Sequence, residues 1–420
     1  MAMSLLQAHA AVADPHSDRA YTDHRALPDA SLTDSLYTGS TPDVSTAQTT
    51  TPQAGFVKYA PAGVTLAGSD TTGPFTYAGA GDFQIGTVFP DTSYVLPLSK
   101  YPNTYASGQS AWSLEFGTDA QVFQLRMKYI STATMYRLSI DGRKVTDLMQ
   151  SSNGITAGSG HLITFDLGSA APRQIRFDFS TFPFGGVYVP PTSQIWGVPL
   201  RGRRAGVLGD SISDGSSGNT GGGAGTWVDR YARLMGYCDV WRQSRGGTGY
   251  ITSGSFAVFQ DRVAGDVAPW DFDELIIWGG FNDSTGSLSE IASAAALLYE
   301  SVQSALPALD VIVVGCWSPG GTPSSGQANT NTTLRGAAQS AGLPFIDVQS
   351  GEVVDGSGTV IASQGKWITG TGDTGSPAGD GNADIYIGSD GIHPNDAGHV
   401  YLSRRMYAAR TVLAAVLKGG

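Results

Sequence analysis

Between about residue 56 and residue 200, apolar and polar positions alternate with a period of two. Phe123, Leu125, Met127 and Tyr129 are interleaved with Gln124, Arg126 and Lys128. Tyr136, Leu138 and Ile140 alternate with Arg137, Ser139 and Asp141, and Gly142 follows. Ile163, Phe165 and Leu167 repeat the rhythm, as do Ile175, Phe177 and Phe179. Side chains of an extended chain point to opposite faces in turn, so this pattern buries one face of a strand and wets the other. Asp141-Gly142 is a hairpin signal, because glycine accepts a positive φ. Several such strands at close spacing predict an antiparallel β-sandwich of jelly-roll type.

Near Arg201 the pattern changes. Residues 205–208, 275–278, 311–314 and 345–348 are short continuous apolar runs separated by segments of helical character. Such runs fit strands buried on both faces, which predicts a parallel sheet covered by helices, an α/β domain. One helix is well marked: Ser287 and Glu290 form a capping-box pattern, after which Leu288, Ile291, Leu298 and Val302 fall on one face. A last helix over 396–417 carries Val400, Leu402, Met406, Val412, Leu413 and Val416 and is expected to pack on the sheet. Before the strands, residues 1–37 are polar and alanine-rich, and 38–55 form a Ser/Thr/Gln-rich stretch that can bury little. The expected organisation is an extended N-terminal arm and linker over 1–55, a sandwich over 56–200 and an α/β domain over 201–420.

Composition narrows the function. Hydrophobic residues make up 41% of the 420 positions, enough for real cores. The formal net charge of -11 disfavours binding along a nucleic-acid backbone. The one basic cluster, Arg201-Gly202-Arg203-Arg204, reads as a domain junction. No apolar run is long enough for a transmembrane helix. The N-terminus lacks a basic region followed by a sustained apolar run, so no secretory signal is expected. Cys238 and Cys316 read as free buried thiols, and no Cys/His spacing suggests a metal site.

The chemistry-bearing residues cluster in the second half. Gly209-Asp210-Ser211 follows the run 205–208, and a serine just past a strand end projects its hydroxyl from the carboxyl edge of a parallel sheet, where ligands bind in open α/β folds. A serine hydroxyl needs a neighbouring base. In Asp390-Gly391-Ile392-His393-Pro394, an aspartate three positions before a histidine can fold back to accept the imidazole Nδ1–H, which leaves Nε2 to take a proton. Pro394 is then expected to open the last helix. His9, His16 and His24 lie in the arm, His161 in the sandwich, and His399 within the last helix, where a structural role is expected. An oxyanion needs preorganised donors. Gly246 and Gly247 offer backbone N–H groups, and Asn282, in Gly280-Phe281-Asn282-Asp283 after the run 275–278, offers a carboxamide.

Taken in order, Gly-Asp-Ser, Gly, Gly-x-Asn-Asp and Asp-x-x-His-Pro resemble the four sequence blocks of the SGNH/GDSL hydrolases over about residues 203–417. The resemblance implies a flavodoxin-like three-layer α/β/α fold and a serine esterase without metal or organic cofactor. It implies Ser211, His393 and Asp390 as the triad, and Ser211, Gly247 and Asn282 as oxyanion donors, with Gly246 as the alternative to Gly247. One departure lies in the second block, which in the family often begins with Asn; here Gln243-Ser244-Arg245 precedes the glycines. The sandwich resembles the jelly-roll modules that often precede such domains and act in carbohydrate binding or packing. A substrate bound across the domain junction would fit, with glycine-rich loops such as 215–225 rimming the site.

Residues 8–21 (Ala8-His9-Ala10-Ala11-Val12-Ala13-Asp14-Pro15-His16-Ser17-Asp18-Arg19-Ala20-Tyr21) resemble a stretch common in tail proteins of actinobacterial phages. That resemblance implies a virion or extracellular location, other tail proteins as partners and a homotrimer. Two functions follow as expectations. One is an esterase removing O-acyl groups, in the first place O-acetyl, from a surface glycan or glycolipid. The other is a receptor-binding tail protein whose SGNH domain recognises the glycan without hydrolysing it.

Overall fold

The computed structural model describes residues 32–81, 83–85, 92–97, 111–215, 218–371 and 381–417. The segment 8–21, three of the histidines and part of the loop 215–225 lie outside the described residues, as does the side chain of Val416. The chain divides into two compact units, residues 1–201 and 202–420.

The first unit is built from two sheets. One has the order Asp43–Ala47, Gly160–Asp166, Val122–Lys128, Phe184–Val189, Val57–Ala60, Thr71–Thr72. The other has the order Arg143–Lys144, Met135–Ile140, Arg173–Ser180, Trp112–Thr118, Ile195–Trp196. The apolar residues of the alternation face one core, but the polar positions between them are not wetted as expected: Gln124, Lys128, Arg137 and Ser139 are buried, and Arg137 pairs with buried Asp178 at 3.0 Å. Phe123, Leu125 and Met127 from the first sheet and Leu138, Ile140, Ile175, Phe177 and Phe179 from the second share one apolar cluster. The hairpin turn falls at Asp141-Gly142, between Met135–Ile140 and Arg143–Lys144. Two expectations need correction. Val57–Ala60 and Thr71–Thr72 pair in parallel, so the sheets are not wholly antiparallel. Part of the stretch expected as linker is a strand: Asp43–Ala47 pairs with Gly160–Asp166 at the sheet edge. An edge strand is held by backbone hydrogen bonds and can leave its side chains exposed, so low hydrophobicity did not reveal it.

The second unit carries a seven-stranded sheet: β1 (Arg204–Gly209), β2 (Asp239–Trp241), β3 (Glu274–Trp278), β4 (Asp310–Val314), β5 (Phe345–Ile346), β6 (Glu352–Val354) and β7 (Val360–Ser363). The order is β2-β1-β3-β4-β5-β6-β7. The first five strands are parallel, while β6 and β7 are added antiparallel. The expected parallel sheet is therefore mixed, with its antiparallel part confined to one edge. The main helices are α1 (Ser211–Asp214), α2 (Trp227–Met235), α3 (Phe259–Arg262), α4 (Leu288–Ala305), α5 (Ser325–Ser340), α6 (Ala383–Tyr386) and α7 (Asp396–Leu417).

Successive strand residues serve opposite faces. Val207, Ile276, Trp278, Ile312 and Val314 pack with Trp227 and Tyr231 of α2 and with Leu402, Met406 and Leu413 of α7. Leu208, Leu275, Ile277, Val311 and Val313 pack with Ile291, Leu298 and Val302 of α4 and Leu334 of α5. Both faces are covered, which explains why these strands read as continuous apolar runs. Leu288, expected on the buried face of α4, is 40% exposed. It is the first residue of the helix, next to the capping Ser287. Among the described residues, no helix is long and apolar enough to cross a membrane. Both cysteines are buried thiols outside any disulfide.

Candidate active site

The site is assembled at the carboxyl ends of β1 and β3 together with the turn before α7. β1 ends at Gly209, and Asp210 caps α1 by accepting a hydrogen bond from the Ile212 N–H at 2.9 Å. Ser211 is thereby the first residue of a short helix, at a position where its own N–H needs no intrahelical acceptor. No hydrogen bond to that N–H is present among the described residues.

His393 reaches this serine from 182 positions away. Its Nε2 lies 2.9 Å from Ser211 Oγ, and its Nδ1 lies 2.7 Å from Asp390 Oδ2. The turn carrying this pair is self-organised. Asp390 Oδ1 accepts from the N–H groups of Ile392 and His393 at 2.9 and 3.0 Å. Gly391 turns the chain at a φ of 71°, a region that disfavours side chains. The Gly388 N–H donates to the His393 carbonyl at 2.7 Å, and buried Trp317 Nε1–H donates to the Ile392 carbonyl at 2.9 Å. Pro394 does not open α7 as expected. It forms an isolated bridge with Ile387, and the side chain of Asn395 accepts from the Gly398 N–H at 2.8 Å and so caps the helix. The side chains of His393 and Asp390 are 18% and 34% exposed, so the pair sits at a solvent-accessible rim.

The two glycines separate clearly. The Gly246 N–H donates to the carboxylate of Asp214. Gly247 has a φ of 73°, and a Cβ added there would meet nothing within 4 Å. Its N–H has no hydrogen-bond partner among the described residues. Asn282 Nδ2 donates to the Thr248 carbonyl at 2.8 Å and lies 3.5 Å from Asp210 Oδ2. Asp283 accepts from the N–H groups of Tyr250, Ile251 and Thr252, which ties the glycine turn to the end of β3. Thr220 donates from its N–H and its hydroxyl to Asp396, both at 2.7 Å, which links the described part of the loop 215–225 to the start of α7.

Electrostatics distinguish the buried groups. Burial, with the charges of Asp214 and Asp283 adding to it, pushes the Asp210 carboxyl up to about 7. Burial, with Arg230 and His393 adding, pushes His399 down to about 3. His399 is therefore neutral, and its Nδ1 accepts from the Trp227 N–H at 3.1 Å at the start of α2. His161 accepts from the Ile155 N–H with Nε2 and contacts the Ser159 carbonyl with Nδ1, a structural role. Reading the sequence left Asp214, Thr248 and Trp317 unassigned. Only Asp283 carried a signal, through its place in Gly-x-Asn-Asp.

A hydroxyl, an imidazole and a carboxylate in this chain can pass a proton from oxygen to Nε2 while the carboxylate steadies the imidazolium. The class is confirmed by comparison. Residues 207–401 match the GDSL-like Lipase/Acylhydrolase family. The second unit carries a GDSL/SGNH esterase domain, and the chain is a carboxylic ester hydrolase. No curated relative matches the chain. The solved structures similar in fold include three that cover most of this chain. The salicylyl-acyltransferase SsfX3 from a tetracycline biosynthetic pathway is 13% identical over 86% of this chain and 99% of that one, with a TM-score of 0.62. An active-site mutant of a family two carbohydrate esterase from Clostridium thermocellum is 14% identical over 80% and 96%, with a TM-score of 0.54. A putative GDSL-like lipase from Bacteroides ovatus is 16% identical over 81% and 98%, with a TM-score of 0.52.

Proposed function

We propose that the chain removes O-acyl groups, in the first place O-acetyl, from a cell-surface polysaccharide or glycolipid. Ser211 is the nucleophile, His393 the general base and Asp390 the carboxylate that orients it. The observation that carries this reading is the unbroken contact from Asp390 through His393 to Ser211 Oγ, at 2.7 and 2.9 Å. In the first half-reaction Ser211 Oγ attacks the ester carbonyl as its proton moves to His393 Nε2. That proton then leaves with the alcohol, and the acyl group stays on Ser211. In the second half-reaction a water gives its proton to His393 and attacks the acyl carbon, releasing the acid and restoring the serine. The N–H groups of Ser211 and Gly247 and the Asn282 carboxamide stabilise the oxyanion in both steps. No metal or organic cofactor enters this scheme.

A substrate of this class is supported by the rim position of His393 and Asp390, which suits an ester carried on a bulky polymer. A carbohydrate esterase is also among the proteins of similar fold. We assign the first unit as a β-sandwich of jelly-roll type that assists in holding carbohydrate, since its two sheets share one apolar core. Wild-type protein should hydrolyse p-nitrophenyl acetate, and Ser211→Ala should reduce the rate to background. Equal inertness of the two proteins, with glycan binding retained, would leave glycan recognition as the function instead.

We further propose that the chain acts on a phage tail, as a homotrimer among other tail proteins, with the N-terminal arm as its attachment. The support is the composition of residues 8–21. Because Asp43–Ala47 belongs to a sheet, the informative truncation removes residues 1–31 only. It should abolish incorporation into particles and leave ester hydrolysis intact; particles that still incorporate the truncated chain would refute the attachment.

A further inference from the structure

We infer that Arg262 is a positioning residue of the oxyanion site, setting the second and third donors through the turn 243–248. The inference rests on the assignment of Gly247 and Asn282 as donors. Arg262 ends α3 and is buried, with 6% of its surface exposed. Its Nε–H donates to Asp266 Oδ2 at 2.9 Å and Nη1–H to Thr248 Oγ1 at 3.2 Å, while Nη2–H donates to the Gln243 carbonyl. One guanidinium thus holds both ends of the turn that presents Gly246 and Gly247.

Thr248 transmits this hold. Its hydroxyl donates to the Arg245 carbonyl at 2.7 Å, which closes the turn from within. Its own carbonyl accepts one N–H of the Asn282 carboxamide at 2.8 Å. That anchor fixes the plane of the amide, whose Nδ2 also lies 3.5 Å from Asp210 Oδ2. Asp266 fixes the guanidinium in turn and is shared with Arg245, whose Nη2 lies 3.0 Å from Asp266 Oδ1. The three side chains are each less than 10% exposed. This cluster holds the segment Gln243-Ser244-Arg245 in place.

The geometry needs a planar fork. A lysine at 262 brings a single ammonium and cannot span a carboxylate, a hydroxyl and a carbonyl that lie in three directions. An oxyanion donor acts on the transition state more than on bound substrate, so its misplacement lowers kcat rather than raising KM. Outright loss of one donor costs about a hundredfold to a thousandfold in kcat, and displacement costs a part of that.

The test uses the full chain with p-nitrophenyl acetate and compares wild type, Ser211→Ala, Arg262→Lys, Thr248→Val and Thr248→Ser, each checked for folding by circular dichroism. Arg262→Lys and Thr248→Val should each lower kcat by about tenfold or more, with KM changed by less than about threefold. The apparent pKa of the kcat/KM profile should stay in place, because His393 and Asp390 are untouched. Thr248→Ser, which keeps the hydroxyl, should recover most of the loss. If Arg262→Lys does not fold, the contrast between serine and valine at 248 decides the matter. The inference is overturned if the folded variants keep wild-type kcat, if the pKa moves with kcat, or if serine does no better than valine. A wild type no faster than Ser211→Ala would instead refute the esterase reading itself.

Discussion

Asp210 joins two tasks at one position. It caps the helix that begins with Ser211, and its second carboxyl oxygen faces the Asn282 carboxamide. Its pKa is pushed up to about 7 from 3.8, burial being the main cause. The folded state therefore holds this proton over a range where the unfolded chain has released it. Between about pH 4 and pH 7 the group favours the folded state less and less as pH rises. Asp210→Asn removes this dependence and keeps a side-chain oxygen for the cap. The melting temperature of the variant relative to wild type should rise between about pH 4.5 and 7.5. A constant difference across that range would show that Asp210 is ionised throughout. His399 illustrates the opposite sign, since it stays neutral when folded and favours unfolding only in acid.

Among the elements, capping follows residue type but is completed by geometry. Ser287 and Glu290 have the spacing of a capping box, and Ser287 Oγ does accept from the Glu290 N–H, at 3.4 Å. The fully reciprocal box is at α5, where Ser324 and Gln327 bond each other's backbone at 3.2 and 2.9 Å. Ser324→Ala should therefore destabilise the protein by about 1 kcal/mol in denaturant unfolding. Ester hydrolysis should be unchanged, because α5 supplies none of the proposed site residues. An unaltered unfolding midpoint would show that solvent replaces the cap without loss. The turn 390–393 follows the same logic at higher stakes: Asp390 organises its own loop through two backbone N–H groups, and Trp317 holds it from a different strand end. The first of these interactions is local and readable from Asp-Gly-x-His, whereas the second depends on β4 lying beside the turn.

For the molecule as a whole, the apolar cores belong to separate stretches of chain. One cluster draws on residues 59–195, and the other two draw on residues 205–413. The second unit thus contains its own apolar cores and all the proposed catalytic residues. This is the physical reason that removing residues 1–31 is expected to spare hydrolysis.

Period-two alternation announced the first unit's strands, because successive side chains point to opposite faces; that the polar face is covered too, with Arg137 and Asp178 paired and buried, was not readable from the pattern. Continuous apolar runs announced the second unit's sheet, because its strands are covered on both sides. Ser211, His393 and Asp390, the proposed triad, stood out in the sequence because each sits at a strand end or in a turn whose local chemistry is written in adjacent residues. Other features could not be read from neighbouring positions. The edge strand Asp43–Ala47 and the antiparallel strands β6 and β7 exist through pairing with distant backbone. The choice between Gly246 and Gly247 depends on Asp214 accepting one N–H and leaving the other. The clamp of Arg262 on Thr248 joins two segments that no spacing rule connects. Local sequence determines which groups can react and which stretches prefer to be strand or helix; only the folded chain decides which of those groups meet, because hydrogen bonds and burial act through space rather than along the backbone.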